Sequence, residues 1–198
     1  MDPDTSVYAQ GAYRLAGKTL GVVGAGRIAQ ALIRKVIGFG FKDILAYDPY
    51  ASADALARQG AKKAELDELL TASDIVSLHL PVTPETKGMI NTAALAKMKS
   101  TAILVNVSRG PLVEDAALLE ALTTGKLLGA GLDTHNHEPL GTDSPFCTLD
   151  NVVLTDHVAY RTVEGVEELN TKSAQNIVDV LTGKAPQIPR QQAVRRYL

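Results

Sequence analysis

Gly24-Ala25-Gly26-Arg27-Ile28-Ala29 is the stretch on which the reading of this chain turns. It follows an apolar run, Thr19-Leu20-Gly21-Val22-Val23, and opens a helical pattern in which Ile28, Leu32, Ile33 and Val36 recur at helix spacing. Strand, tight turn and helix in that order are the context a G-x-G-x-x-G/A dinucleotide turn requires. Each position has a physical task. Gly24 permits the turn, Gly26 lets bare backbone approach a pyrophosphate, and Ala29 keeps the helix close to the strand. The first turn of the helix, with Arg27 and Ile28, then offers unpaired N–H groups to the phosphates.

A glycine turn alone is weak evidence, so the acidic partner matters. Asp48 ends a second apolar run, Ile44-Leu45-Ala46-Tyr47, 22 positions after Gly26. A carboxylate at about 20 residues accepts hydrogen bonds from the adenosine ribose. It also repels a 2′-phosphate, which favours NAD over NADP. Pro49 follows it at the turn. The plain alternative is a ligand-free strand–helix turn with a solvated aspartate. Strand, glycines, helix and acid in sequence favour the cofactor.

The rest of the composition narrows the classes. With 198 residues, the chain has room for one domain with an appendage. The net charge of −2 and the lack of basic runs argue against nucleic acid or a membrane surface as partner. No apolar stretch is long enough to span a bilayer. Met1-Asp2-Pro3-Asp4 does not read as a signal peptide. Cys147 is the single cysteine, which excludes an internal disulfide and fits a reducing, cytoplasmic setting. It reads as a small buried or loop residue.

Short apolar runs alternate with helical patterns along the chain. Strands are expected at 19–23, 44–47, 62–63, 75–80, 101–107, 128–132 and 152–155. Helices are expected from Ile28, and near 53–59, 66–70, 92–98, 115–123 and 163–181. Nearly continuous apolar strands imply burial on both faces. Alternating β and α units imply a Rossmann-type, doubly wound α/β fold in three layers around a parallel sheet. The expected domains are a linker remnant at 1–14, the Rossmann domain at 15–160, and a return helix with tail at 161–198.

In such sheets ligands bind beyond the carboxyl ends of the strands. Three residues stand out in separate strand-end loops: Arg109, Glu138 and His157. Together they supply a cation, an acid and a proton carrier. Singly, each has a plain alternative. Arg109 before Gly110 could end a strand at the surface, Glu138 before Pro139 could be an ordinary loop acid, and His157 could be a satisfied core histidine. His79 reads as structural or cofactor-side. Asp115 and Glu120 read as a solvated helix face.

Five segments now carry a resemblance. Leu15 to Ile28, Asp74 to Thr86, Leu104 to Gly110, Gly129 to Asp133 leading to Glu138-Pro139, and Asn151 to His157 stand in one order. In that order they resemble the cofactor-binding domain of the D-isomer-specific 2-hydroxyacid dehydrogenases. The stretch from Asp143 through Leu169 resembles the branch that includes the C-terminal-binding corepressors. The resemblance implies NAD as cofactor and a 2-hydroxy or 2-keto acid as substrate. His157 would be the base, Glu138 its partner, and Arg109 the group binding the substrate carboxylate or carbonyl. Asp133 would hold the nicotinamide carboxamide. Leu80 and Pro81 would border the adenosine, and Thr86, Val107 and Ser108 would line the cofactor site together with Arg109 and His157.

The chain also departs from that pattern. Thr134 and His135 stand where the family has an aliphatic and an aromatic residue. Asp156 stands where proline commonly precedes the histidine, and a carboxylate there could raise the pKa of the base. His135-Asn136-His137-Glu138 has no recognised zinc spacing, and no metal is expected. The resemblance further implies that the family's substrate domain is largely absent, so turnover would be weak while cofactor binding persists. The 163–181 helix, or the proline-rich tail after it, would then pack on a second copy, making a homodimer. The alternative is an NAD(H)-sensing corepressor-like binding protein or dimerisation module.

Overall fold

Among the described residues seven strands form, all but the third in apolar runs: β1 (Thr19–Val23), β2 (Asp43–Tyr47), β3 (Lys62–Lys63), β4 (Ile75–Leu78), β5 (Ile103–Asn106), β6 (Gly129–Leu132) and β7 (Val152–Leu154). A computed structural model describes residues 13–186. Most of the expected 1–14 segment, and the tail from 187 onward, lie outside the described residues. All strand pairs are parallel, in the order β3-β2-β1-β4-β5-β6-β7. The chain runs outward from β1 to β3, then returns to the other side of β1 at β4. The carboxyl ends of β1 and β4 therefore form the switch point where ligand crevices occur.

Helices cover both faces. α1 (Arg27–Val36) and α2 (Ala53–Ala57) bury Ala29, Ile33, Val36 and Leu56 against Leu20, Val22, Ile44 and Ala46. On the other face α3 (Leu66–Ala72), α4 (Thr92–Lys97) and α5 (Asp115–Thr123) bury Leu69, Leu70, Leu95 and Leu118 against Val76, Leu78 and Leu104. Two apolar cores on opposite faces of one sheet make the three layers.

Several boundaries differ from expectation. Four strands are shorter than expected, because residues such as His79, Val107 and Thr155 begin the loops that build the site. α2 ends before Gln59, close to Gly60 at φ +90°. Ile28 belongs to the helical pattern yet is 73% exposed, since the first turn of α1 overhangs the crevice instead of the core. Cys147 is exposed, in a short 3₁₀ turn.

The chain divides between His157 and Val158 into two compact units. The first carries the sheet. The second carries α6 (Val163–Leu181), whose first turn is capped by the Thr162 hydroxyl accepting from Gly165 N at 2.9 Å. α6 leaves Leu169, Ile177 and Leu181 exposed. Among the described residues no helix is long and apolar enough to cross a membrane.

Candidate active site

The glycine turn is built by close approach on one side and open space on the other. Gly24 has φ +93°, a conformation that favours glycine. A Cβ there would lie 2.7 Å from the His79 carbonyl oxygen and 2.9 Å from Leu80 Cδ2. Gly24 N also donates to Tyr47 O at 2.7 Å, so the turn is held by the ends of both β2 and β4. At Gly26 a Cβ would meet nothing within 4 Å. Gly26 is the N-cap of α1 and no side chain caps that terminus. Arg27 and Ile28 flank the opening, both exposed. Bare backbone, a ten-residue helix pointing its N-terminus into open space, and an adjacent cation fit a diphosphate.

Asp48 stands at the end of β2 beside that turn. Its Oδ2 accepts from Ala25 N and its Oδ1 from Tyr50 N, both at 2.8 Å. Two main-chain donors fix the plane of the carboxylate, and a carboxylate has acceptor capacity for more. Pro49 and Tyr50 are exposed beyond it.

On the far side of the switch point, the loop after β4 is tied by hydroxyls. Thr86 Oγ1 donates to Pro81 O at 2.8 Å and accepts from Thr83 N at 2.8 Å. Ser108 Oγ donates to Leu80 O at 2.6 Å, joining this loop to the one after β5. Beneath them Ser77 Oγ lies 2.9 Å from His79 Nε2, and burial pushes the His79 pKa down to about 4. His79 is thus a neutral supporting residue at pH 7.

Arg109 is placed by a residue to which the sequence reading gave no role. Asn106 is 1% exposed. Its Oδ1 accepts from Ser108 N at 3.1 Å and its Nδ2 donates to Arg109 O at 2.9 Å, an Asx-type turn that fixes the path of 107–109. Gly110 completes the bend. A Cβ on it would lie 2.0 Å from the His135 carbonyl carbon, so the β5 and β6 loops touch backbone to backbone. The Arg109 side chain is exposed and donates from Nη1 to Ser108 O at 2.6 Å. Val107 is also exposed.

Glu138 and His157 meet, although 19 positions separate them. Glu138 Oε2 lies 2.9 Å from His157 Nδ1. A carboxylate only accepts, so Nδ1 carries the hydrogen and the neutral ring bears its lone pair on Nε2. The hydrogen bond from His157, then that from His135 N, hold the Glu138 carboxyl below its ordinary range. His157 has φ +52°, an uncommon conformation for a side-chain-bearing residue. Its N–H donates to Asp133 O at 2.7 Å, which holds it there. Asp133 is 4% exposed and its Oδ1 accepts from Thr155 Oγ1 at 2.6 Å. Asp115 is exposed, yet its Oδ1 accepts from Asn136 Nδ2 at 2.6 Å.

The arrangement therefore pairs Glu138 with His157 directly, and stands Arg109, Asp133, Gly26 and Asp48 on loops at the same sheet edge. Asn106 and Thr155 were given no role by sequence reasoning, and His135 stood out only as a departure from the family pattern and in the dismissed metal motif. For Asn106 there was a signal, an asparagine closing an apolar run before a Ser-Arg-Gly turn. For Thr155 there was none.

Comparison with known proteins gives consistent relatives. The sequence model of the D-isomer specific 2-hydroxyacid dehydrogenase, NAD binding domain, matches residues 6–159. A D-3-phosphoglycerate dehydrogenase of Mycobacterium tuberculosis is 45% identical over 168 residues, covering 85% of this chain and 31% of the relative. A glyoxylate reductase of Korarchaeum cryptofilum is 43% identical over 174 residues, 88% of this chain and 52% of that protein. The NAD-complexed D-isomer specific 2-hydroxyacid dehydrogenase of Lactobacillus delbrueckii ssp. bulgaricus superposes with a TM-score of 0.79 at 29% identity. It covers 89% of this chain and 56% of that one. The chain thus spans about a third to a little over half of these proteins.

Proposed function

The chain belongs to the D-isomer specific 2-hydroxyacid dehydrogenase family through its NAD binding domain, and from that premise we propose that it binds NAD(H) for oxidation or reduction at a 2-hydroxy or 2-keto acid. The Glu138–His157 pair, standing at the same sheet edge as the glycine turn, carries this reading. When bound, the nicotinamide supplies the hydride acceptor or donor. Everything else falls to side chains of this chain. The Gly24–Ala29 turn and the α1 N-terminus receive the diphosphate, with Arg27 and Ile28 beside it. Asp48 accepts from the ribose hydroxyls, Leu80, Pro81 and Thr86 border the adenosine side, and Asp133 orients the carboxamide.

His157 Nε2 takes the hydroxyl proton in oxidation and returns it in reduction. Glu138 fixes the tautomer through Nδ1 and stabilises the imidazolium once formed. Arg109 turns its planar fork from Ser108 O to the substrate carboxylate or carbonyl oxygen. Fluorescence titration with NADH tests the binding half: saturable binding supports it, and no binding at millimolar NADH overturns it.

Two finer points belong to the same proposal. Arg109 is exposed, and the site is open to water, so the 198-residue chain turns over keto acids weakly. Steady NADH oxidation with glyoxylate or hydroxypyruvate at ordinary enzyme rates would contradict this. The exposed Leu169, Ile177 and Leu181 of α6 support a homodimer, and a monomer in sedimentation velocity at micromolar concentration would remove that part.

A further inference from the structure

We infer that His135 is a positioning residue for the Glu138–His157 pair, fastening the loop that bears the carboxylate to the strand end that bears the base. The inference deepens the proposed acid–base role of that pair and rests on it. His135 is 8% exposed, and its Nε2 lies 2.9 Å from Thr155 O. A carbonyl oxygen only accepts, so Nε2 carries the hydrogen. The main-chain N of the same residue donates to Glu138 Oε1 at 3.0 Å, while Oε2 faces His157 Nδ1. One residue therefore holds the back of the carboxylate and reaches across to the β7 end with its ring.

The acceptor of that ring is itself fixed. Thr155 N donates to Leu132 O at 3.0 Å, and its hydroxyl donates to Asp133 Oδ1 at 2.6 Å. Asp133 O accepts from His157 N at 2.7 Å. The contacts close into a circuit: Asp133, Thr155, His135, Glu138, His157 and back to Asp133. The Glu138–His157 link joins two side chains, and the His157–Asp133 link runs main chain to main chain. Within this circuit, the imidazole of His135 ties the 135–138 part of the loop to the residue after β7 without passing through the reacting pair. Asn136 Nδ2 holds the same loop to Val113 O and Asp115 Oδ1 on the side away from β7, so removing the His135 donor takes away the tie on the β7 side and loosens Glu138 toward Nδ1. A phenyl ring would fill the space without supplying a donor. A glutamine amide reaches a similar distance and supplies one.

The test uses the full chain without cofactor, labelled with ¹⁵N-histidine, and reads tautomers from long-range ¹H–¹⁵N correlation. In the unaltered chain His135 is expected as the Nε2–H form and His157 as the Nδ1–H form. His135→Phe is expected to raise the Nε2–H population of His157 several-fold, and His135→Gln to restore the original pattern. A merely structural role would lower the melting temperature of His135→Phe and leave the His157 tautomer unchanged; that result overturns the inference. An Nδ1–H tautomer at His135 in the unaltered chain overturns it as well, even where His135→Phe does not fold. NADH titration of the same samples separates the two readings, because absent binding would sink the cofactor proposal while the tautomer comparison still stands.

Discussion

Asp48 Oδ2 accepts the amide hydrogen of Ala25 at 2.8 Å, so the acid proposed to meet the ribose also fastens the glycine turn to β2. Its removal should act twice. Asp48→Ala is expected to weaken NADH by tenfold or more and to lower stability by about 1–2 kcal/mol, since a hydrogen bond to a charged group is worth about 1.5–3 kcal/mol. Asp48→Asn retains an acceptor and should lose less stability. NADH fluorescence and thermal melting on the same samples separate the two effects. Weakened binding with an unchanged melt would dissociate the acid from the turn.

Three glycines of the site should respond differently to one methyl group. Gly26 has φ −67° and open space above it. Gly26→Ala should therefore leave stability unchanged or raise it by about 0.4–1 kcal/mol, while NADH binding falls tenfold or more. Gly24→Ala and Gly110→Ala meet main-chain atoms and should cost about 3 kcal/mol each through strain and overpacking. Urea denaturation gives the ranking, and an equally large cost at Gly26 would contradict the open cradle.

Asn106→Ala leaves Ser108 N and Arg109 O without their buried partner. The expected loss is about 2 kcal/mol in urea denaturation, the usual cost of orphaned buried polar groups. Proteolysis within 107–110 should accelerate in step. A neutral outcome would mean that the turn before Arg109 does not need its asparagine.

Acid should unfold the chain in part through His79. Burial holds its pKa at about 4, below the ordinary 6.5. The unfolded chain binds the proton first, so stability is full above about pH 6.5 and falls as the pH drops toward 4, by on the order of 3 kcal/mol. His79→Gln should flatten that part of the pH–stability curve measured by urea midpoints.

Glu138 adds a smaller effect of the same sign. Its depressed carboxyl contributes stability above the ordinary carboxylate range, lost as the pH falls through the lowered value. The pair is more than a third exposed, so solvent screening keeps the contribution below about 1 kcal/mol. Glu138→Gln should thus differ from the parent at pH 6 and converge with it in denaturant midpoints once the pH falls below the lowered value.

Much of the sheet was legible because burial on both faces writes itself as unbroken apolar runs. The two lysines of β3 were the exception, a short and poorly marked strand in the sequence. Ile28 read both as part of the apolar helix pattern and as a first-turn residue beside the phosphates; helix periodicity alone does not separate a core face from the lip of a crevice, and the residue is 73% exposed. For the site, the residue types at strand ends could be read, since each βα unit delivers its loop to one edge. Which carboxylate oxygen meets which nitrogen could not. Glu138 and His157 meet directly, and that meeting depends on backbone geometry between two loops rather than on any spacing along the chain.

The sheet's border at β3 has a consequence for behaviour at high concentration. It offers a neighbour only two rungs, Lys62 and Lys63, both exposed. Any foreign strand laid along it would pair little backbone and bring its own side chains against two ammonium groups. Growth of fibrils from this flank is thereby discouraged.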